Sequence, residues 1–267
     1  MTHPAETFRA LHVKGDPFIL ANVWDRGSAK MMQAMGAKAL ATSSAAHAFV
    51  LGKPDGVSRD EALSHAAEIL SVATVPVQGD FENGFGHDPD TCAETVRLAA
   101  EIGLAGICIE DIALPDSTAY ERDLAVERIS AAAAAAKALP DDFVLTARAD
   151  GILRGQYDTD EAIVRLQAFE SAGADCLYAP IPPDMDALAR IITATQAPVN
   201  ALVAGTYTAQ TVQDFGKIGV ARISLGSSLA RIAHRAIYDA ATAMFETGSF
   251  SPLGHSIGSG KIDRLLA

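Results

Sequence analysis

Residues 76–82 read PVQGDFE, a short apolar run ending in two carboxylates, and the design returns at 106–111 (GICIED) and 143–150 (FVLTARAD). Loop-forming residues and then a helix-like segment follow each of the three. Strands that stay apolar along their length are expected in a parallel sheet covered on both faces, with charge delivered only at the strand ends. Working outward, five more runs read as strands: Phe18 to Asn22, Ala39 to Thr42, Cys176 to Ala179, Pro198 to Leu202 and Ala221 to Leu225. The three quoted runs are bounded as Pro76 to Asp80, Gly106 to Glu110 and Phe143 to Arg148.

Helix-like segments alternate with these strands. Ser58 to Ala73 opens on a capping box, Ser58 followed by Glu61. Asp88 to Ile102 comes next, then Asp123 to Leu139, whose alanine run Ala131 to Ala136 favours a helix packed closely on a sheet. Asp158 to Ala172, Met185 to Thr195 and Ala209 to Ile218 complete the series. The alternation predicts an α/β fold of the (βα)8 TIM-type barrel class. The rival, a doubly wound open sheet, would carry a glycine-rich phosphate turn after its first strand, and residues 22–27 (NVWDRG) are no such turn. Residues 1–267 are therefore expected to form one barrel domain. Beyond the eighth strand, Ser227 to Thr247 reads as a long amphipathic helix followed by a Gly- and Ser-rich stretch. Residues 227–267 are expected to be a C-terminal helical extension used in contacts between subunits of a homo-oligomer.

The 33 acidic against 21 basic residues give a net charge of −12, which argues against nucleic acid. No stretch of about 18 apolar residues suggests a membrane span, and residues 1–14 lack an apolar leader, so a soluble, cytoplasmic protein is expected. Cys92, Cys108 and Cys176 lie far apart, with no Cys-x-x-Cys pair. They are expected to be reduced and mostly buried.

Active sites of such barrels gather at the C-terminal strand ends. There the chain places Trp24, Thr42, Ser43, Ser44, Asp80, Glu82, Glu110, Arg148, Tyr178 and Asn200. Asp80 and Glu82, two apart at a strand end, should point the same way and could hold Mg2+ directly or through its waters, with Glu110 extending the cluster. So many acids repel one another unless a cation lies among them. Arg148 offers a fork suited to a carboxylate or phosphonate, while pairing with a neighbouring acid is its ordinary structural use. Thr42-Ser43-Ser44 could bind an anionic end of a substrate by hydroxyl and backbone N–H groups, and reads equally as a strand-to-helix cap.

The segments ATSSA (41–45), GKPDG (52–56), GDFENGFG (79–86), IED (109–111) and TAR (146–148), in this order, resemble the isocitrate lyase/phosphoenolpyruvate mutase superfamily. The resemblance covers most of the barrel. It implies a barrel whose last helix is swapped between partners in a homodimer or homotetramer, and a Mg2+ site, with Mn2+ as a substitute, for 2-oxo acids or their enolates. Carried over by position, it implies Asp80 as the principal metal contact, with Glu82 and Glu110 in its shell through water. Asp55 would lie near the reacting end of the substrate, Ser43 and Ser44 would hold the substrate carboxylate, and Arg148 would complete the clamp. Asn200 falls near a substrate-contact region. The catalytic set is then Asp55, Arg148 and Glu110, the substrate-binding set Thr42, Ser43, Ser44, Trp24 and Asn200, and the metal set Asp80, Glu82 and Glu110.

One departure bears on the reaction. Isocitrate and methylisocitrate lyases of the family carry a Lys-Lys/Arg-Cys-Gly-His motif in the loop after the Glu-Asp pair, and its cysteine acts in proton transfer. Here the loop reads IALPDSTAY over 112–120, without cysteine or lysine. Cys108, inside a predicted strand, is expected to be core. Tyr120, His47 or His87 could supply a proton instead. The leading expectation is a Mg2+-dependent lyase cutting a carbon–carbon bond of a small 2-oxo or 2-hydroxy di- or tricarboxylate through an enolate, as a methylisocitrate lyase or oxaloacetate decarboxylase does. The alternatives are phosphoenolpyruvate mutase or phosphonopyruvate hydrolase chemistry, and a 2-oxo acid binding protein without turnover.

Overall fold

A computed structural model describes residues 3–54 and 56–267. Helix α1 (Pro4–Ala10) precedes β1 (Phe18–Asn22), α2 (Arg26–Ala34), β2 (Ala39–Ala41), α3 (Ser44–Val50), α4 (Arg59–Leu70), β3 (Val77–Asp80), α5 (Pro89–Glu101) and β4 (Gly106–Glu110). A short hairpin, β5 (Ile112–Ala113) and β6 (Thr118–Ala119), interrupts the alternation. Then come α6 (Arg122–Lys137), β7 (Val144–Arg148), α7 (Gly151–Arg154), α8 (Thr159–Ser171), β8 (Cys176–Tyr178), α9 (Met185–Ala194), β9 (Val199–Leu202), α10 (Val212–Lys217), β10 (Arg222–Ser224), α11 (Ser228–Thr247) and α12 (Ser259–Leu266).

Strands β1–β4 and β7–β10 close into an eight-stranded barrel in the order β1-β10-β9-β8-β7-β4-β3-β2. Each neighbouring pair is parallel. This is the expected TIM-type barrel. Register sets the site: Glu110 lies opposite Arg148, and Arg148 opposite Tyr178. The sheet needs glycine at Gly106, where an added Cβ would sit 2.2 Å from the Val144 carbonyl oxygen. The expected capping box forms, Ser58 and Glu61 serving each other at the start of α4.

Helix α1, which hydrophobic periodicity did not reveal, buries Phe8 against Phe18, Leu20, Ala39, Ala105 and Val144 near the N-terminal strand ends. The barrel interior is partly polar. Arg222, 1% exposed, donates to Gln78 Oε1 at 2.6 Å, Asn200 Oδ1 at 2.9 Å and Thr146 Oγ1 at 3.1 Å. All three cysteines are free and buried, with Cys108 inside β4. Of the 20 residues of α11 only Ala230 is buried, while Ile232, Ile237, Tyr238 and Phe245 are exposed, as are Phe250 and Leu253 beyond it. No helix among the described residues is long and apolar enough to cross a membrane.

Candidate active site

A cavity of about 1330 Å3 opens at the C-terminal ends of the barrel strands. Ser43, Ser44, Asp80, Glu82, Glu110, Arg148 and Tyr178 line it, so the structure brings these expected residues together. Leu114, Pro115 and Ser117 of the β5–β6 connection line it too, as do Arg59, His87 and Arg154. Asp55 lies outside the described residues.

Asp80 ends β3 in a fixed pose. Its Oδ2 accepts the Ser44 N–H at 3.0 Å and the Ser44 hydroxyl at 3.2 Å, and its own N–H donates to Thr42 Oγ1 at 2.8 Å. Thr42 is 3% exposed and outside the cavity lining. Thr42 and Ser44 thus spend on Asp80 the groups that were expected to meet a substrate. Ser43 caps α3, its hydroxyl accepting the Ala46 N–H. The cap and anion-binding readings divide between neighbours, because the turn from β2 into α3 passes directly beside the end of β3.

Glu82 reaches the cavity by a different route from the one expected. The strand stops at Asp80 and Glu82 adopts φ 46°, a left-handed conformation uncommon outside glycine. Strand alternation therefore does not place it. Its carboxylate accepts the Val57 N–H at 3.4 Å. The turn continues through Gly84 (φ 78°), where a Cβ would lie 3.0 Å from Cys92 Sγ. Glycine is needed there on both counts.

Glu110 and Arg148 pair at 3.1 Å across β4 and β7, and Arg148 Nε donates to Asp150 at 2.6 Å. The guanidinium also lies over the Tyr178 ring, 5.3 Å from its centre. Burial opposes the Arg148 charge, but Asp150 and Glu110 outweigh it and raise its pKa. Burial pushes the Glu110 carboxyl up to about 8; Arg148 pulls it down, while Asp150 and Asp80 push it up. Asp80 and Glu110 thus feel each other, and a divalent cation between them would relieve both.

Among the described residues no three His, Cys, Asp or Glu side chains converge closely enough to chelate an ion by themselves. An oriented Asp80 carboxylate with two further acids on the cavity wall fits a hard ion that keeps most of its waters, which is how Mg2+ is usually held. It does not fit a closed, all-protein cage.

Several expected contacts lie elsewhere. Asn200 is wholly buried, donates to Ser224 Oγ at 2.8 Å and accepts from Arg222, so it is a prop of the barrel interior. Trp24 is outside the cavity lining; its carbonyl is 2.9 Å from His65 Nε2. His47 is 7% exposed and stacked on His65 at 3.9 Å, and its Nδ1 has no hydrogen-bond partner among the described residues. Burial and the neighbouring His65 push it down to about 4. It does not reach the cavity because it lies on the buried face of α3.

His87, one of the candidate proton donors, is exposed and lines the cavity. Its Nδ1 is 2.9 Å from Tyr120 Oη, which accepts from Asn83 Nδ2 at 3.0 Å, and the Arg128 guanidinium sits 4.2 Å from the Tyr120 ring centre. Asn83 donates to the phenol oxygen, and a phenol proton directed at His87 Nδ1 would place the imidazole proton on Nε2. Sequence spacing gave no signal for this dyad, since residues 87 and 120 meet only through the fold.

A family model for phosphoenolpyruvate phosphomutase matches residues 8–245. The 2-methylisocitrate lyase of Escherichia coli K12 is 31% identical over 206 residues, 73% of this chain and 68% of that protein. A Burkholderia cenocepacia J2315 crystal structure, provisionally described as a lyase/mutase, superposes with TM-score 0.95 at 44% identity, covering 99% of this chain and 95% of that one. An oxaloacetate acetylhydrolase bound to its product oxalate superposes with TM-score 0.86 at 26% identity, covering 98% and 93%. With the match spanning nearly the whole barrel, the chain belongs to the phosphoenolpyruvate mutase/isocitrate lyase superfamily.

Proposed function

We propose that the protein is a Mg2+-dependent lyase that cuts a carbon–carbon bond of a small 2-oxo or 2-hydroxy di- or tricarboxylate. The observation that carries this reading is the juxtaposition, on one cavity wall, of an oriented Asp80 with the Glu110–Arg148 pair. Bound Mg2+ would supply Lewis-acid stabilisation of charge developing on the substrate oxygen, with Asp80 holding it and Glu82 and Glu110 bonding its waters. Arg148 is positioned to take the substrate carboxylate with donors that Glu110 and Asp150 leave over.

In a decarboxylation the breaking bond releases CO2, and its electron pair enters the 2-oxo group as an enolate. In a retro-aldol cleavage the hydroxyl proton passes to a carboxylate of the cavity wall, the hydroxyl carbon becomes a carbonyl, and the electron pair of the broken carbon–carbon bond again forms an enolate. Either product needs a proton on carbon. His87 Nε2, backed by Tyr120, is the donor we assign in the absence of a loop cysteine: as Nε2 gives its proton to carbon, Nδ1 takes the Tyr120 phenol proton, leaving a phenolate beside Asn83 Nδ2 and the Arg128 guanidinium. Relatives named for 2-methylisocitrate and for oxaloacetate support the substrate class. Phosphorus–carbon chemistry is the second reading, favoured by the family match to a phosphomutase.

We further propose a homodimer or homotetramer in which a second copy covers the apolar face of α11. The reaction is tested by incubating the protein and Mg2+ with oxaloacetate, 2-methylisocitrate, 2,3-dimethylmalate and phosphonopyruvate. A 2-oxo acid released from one of the first three supports the lyase. Inorganic phosphate from the fourth alone favours phosphorus–carbon chemistry. Tight oxalate binding without turnover of any of them leaves a binding protein.

A further inference from the structure

Of the three arginines lining the cavity, two are matched by carboxylates and, among the described residues, one is not. Arg148 is bound by Glu110 and Asp150, and Arg154 Nε donates to Asp150 at 3.1 Å. Arg59, half-buried and in the same lining, makes no ion pair and no hydrogen bond from its side chain among the described residues. The other arginines that are buried or half-buried are all engaged. Arg128 binds main-chain carbonyls, Arg165 binds Asp111 and Glu161, and Arg222 binds amide and hydroxyl oxygens.

The acids nearest Arg59 in the chain do not take it. Glu61 is committed to Lys53 Nζ at 2.8 Å and to Ser58, and Asp60 forms no ion pair among the described residues. Nor does the local helix favour it. Arg59 is the first residue of α4 after the Ser58 cap, where the helix dipole disfavours a cation. An arginine kept there, desolvated in part and unmatched, has its counter-charge still to come. The cavity, at about 1330 Å3, also exceeds the roughly 300–1,000 Å3 of ordinary small-ligand sites, leaving room beyond a 2-oxo acid head held at Asp80 and Arg148.

We infer that Arg59 is a specificity-determining residue that receives the second, distal carboxylate of the substrate, making this site selective for dicarboxylates over monocarboxylates. The inference rests on the proposed 2-oxo acid site. A guanidinium reads a carboxylate with paired, charge-assisted hydrogen bonds, and so discriminates against a methyl end of the same size. No chemistry is asked of Arg59.

The test is displacement of oxalate, in the presence of Mg2+, by matched pairs: oxaloacetate against 2-oxobutyrate, 2-oxoglutarate against 2-oxovalerate, and 2-oxoadipate against 2-oxohexanoate. In the unaltered protein at least one dicarboxylate is expected to compete about tenfold or more better than its partner. Arg59→Gln should abolish that preference while leaving affinity for oxalate and the monocarboxylates within about twofold, and Arg59→Lys should restore part of it. A dicarboxylate preference that survives in Arg59→Gln, or no preference in the unaltered protein, overturns the assignment. Equal losses for oxalate and every competitor would show a structural role and overturn it as well. Failure of the unaltered protein to bind oxalate with Mg2+ would instead bring down the underlying site reading, and the inference with it. A melting temperature for Arg59→Gln within about 2 °C of the parent separates these outcomes from misfolding.

Discussion

Arg148→Ala removes a guanidinium whose side chain is 14% exposed and which neutralises Glu110 and, with Arg154, Asp150. Both carboxylates are then left in a buried site, and breaking such a pair costs about 3–5 kcal/mol. The loss should depend on pH in a stated direction. The Glu110 carboxyl is already pushed up to about 8, far above the ordinary carboxylate range it has in the unfolded chain. In the native state it therefore holds a proton that the unfolded chain has released, and its contribution to stability is present below about pH 4.5 and is lost as pH rises through 8. Without Arg148 the folded pKa climbs further. The penalty of the substitution should accordingly be smallest at pH 5.5, where the carboxyl is protonated with or without Arg148, and grow as pH rises through 8 towards 9. Urea unfolding in EDTA at both pH values measures this. For catalysis, a substrate carboxylate left unpaired costs about 2–5 kcal/mol, roughly a 30- to 5,000-fold fall in kcat/KM. A stability loss under about 1 kcal/mol, or one identical at both pH values, would refute the claim that Arg148 is the counter-ion of Glu110. Unchanged kcat/KM would refute the clamp.

Other consequences follow from the same contacts. Burial, aided by Arg222, holds His12 down to about 3, while burial and His65 hold His47 down to about 4, and burial lowers His65 as well. Each is neutral in the native state when the unfolded chain takes up a proton. Stability should thus fall as pH drops from about 6.5 towards 4, by up to about 1.4 kcal/mol per pH unit for each group, and His47→Phe should flatten that slope in urea titrations. Sedimentation should give a dimer or tetramer, with Ile237→Glu combined with Phe245→Glu driving it to monomer; a monomeric parent would contradict the covered α11 face. His87→Gln should lower kcat by about 10^2- to 10^4-fold, while Tyr120→Phe, which keeps the ring against Arg128 but loses the hydroxyl, should cause a smaller fall and move the pH profile of kcat.

The barrel strands were legible because they are short, largely apolar runs at even spacing between helical segments, and their predicted ends fall within a residue or two of the observed ones. Helix α1 escaped notice because it is short and buries only Ala5 and Phe8. The β5–β6 hairpin was likewise hidden, since two-residue strands carry no periodicity. Within the site, charge was the readable signal: Asp80, Glu82, Glu110 and Arg148 reach the cavity. Neutral polar residues were harder to place: Ser43 and Ser44 reach the cavity while Thr42 and Asn200 do not, because the duty of a hydroxyl or amide depends on its spatial neighbours. Thr42 and Ser44 serve Asp80, and Asn200 serves Arg222, through contacts spanning 22 to 38 residues of chain. Glu82 came to the right place through a left-handed turn that alternation does not describe.

The most direct test of the central claim is Mg2+-dependent release of 2-oxo acid from oxaloacetate and from 2-methylisocitrate, compared between the parent protein and Asp80→Ala at equal metal concentration. The account predicts turnover that rises with Mg2+, is abolished by EDTA, and falls in Asp80→Ala to the rate of the metal in buffer. Turnover that persists in Asp80→Ala, or that needs no divalent cation, would contradict it.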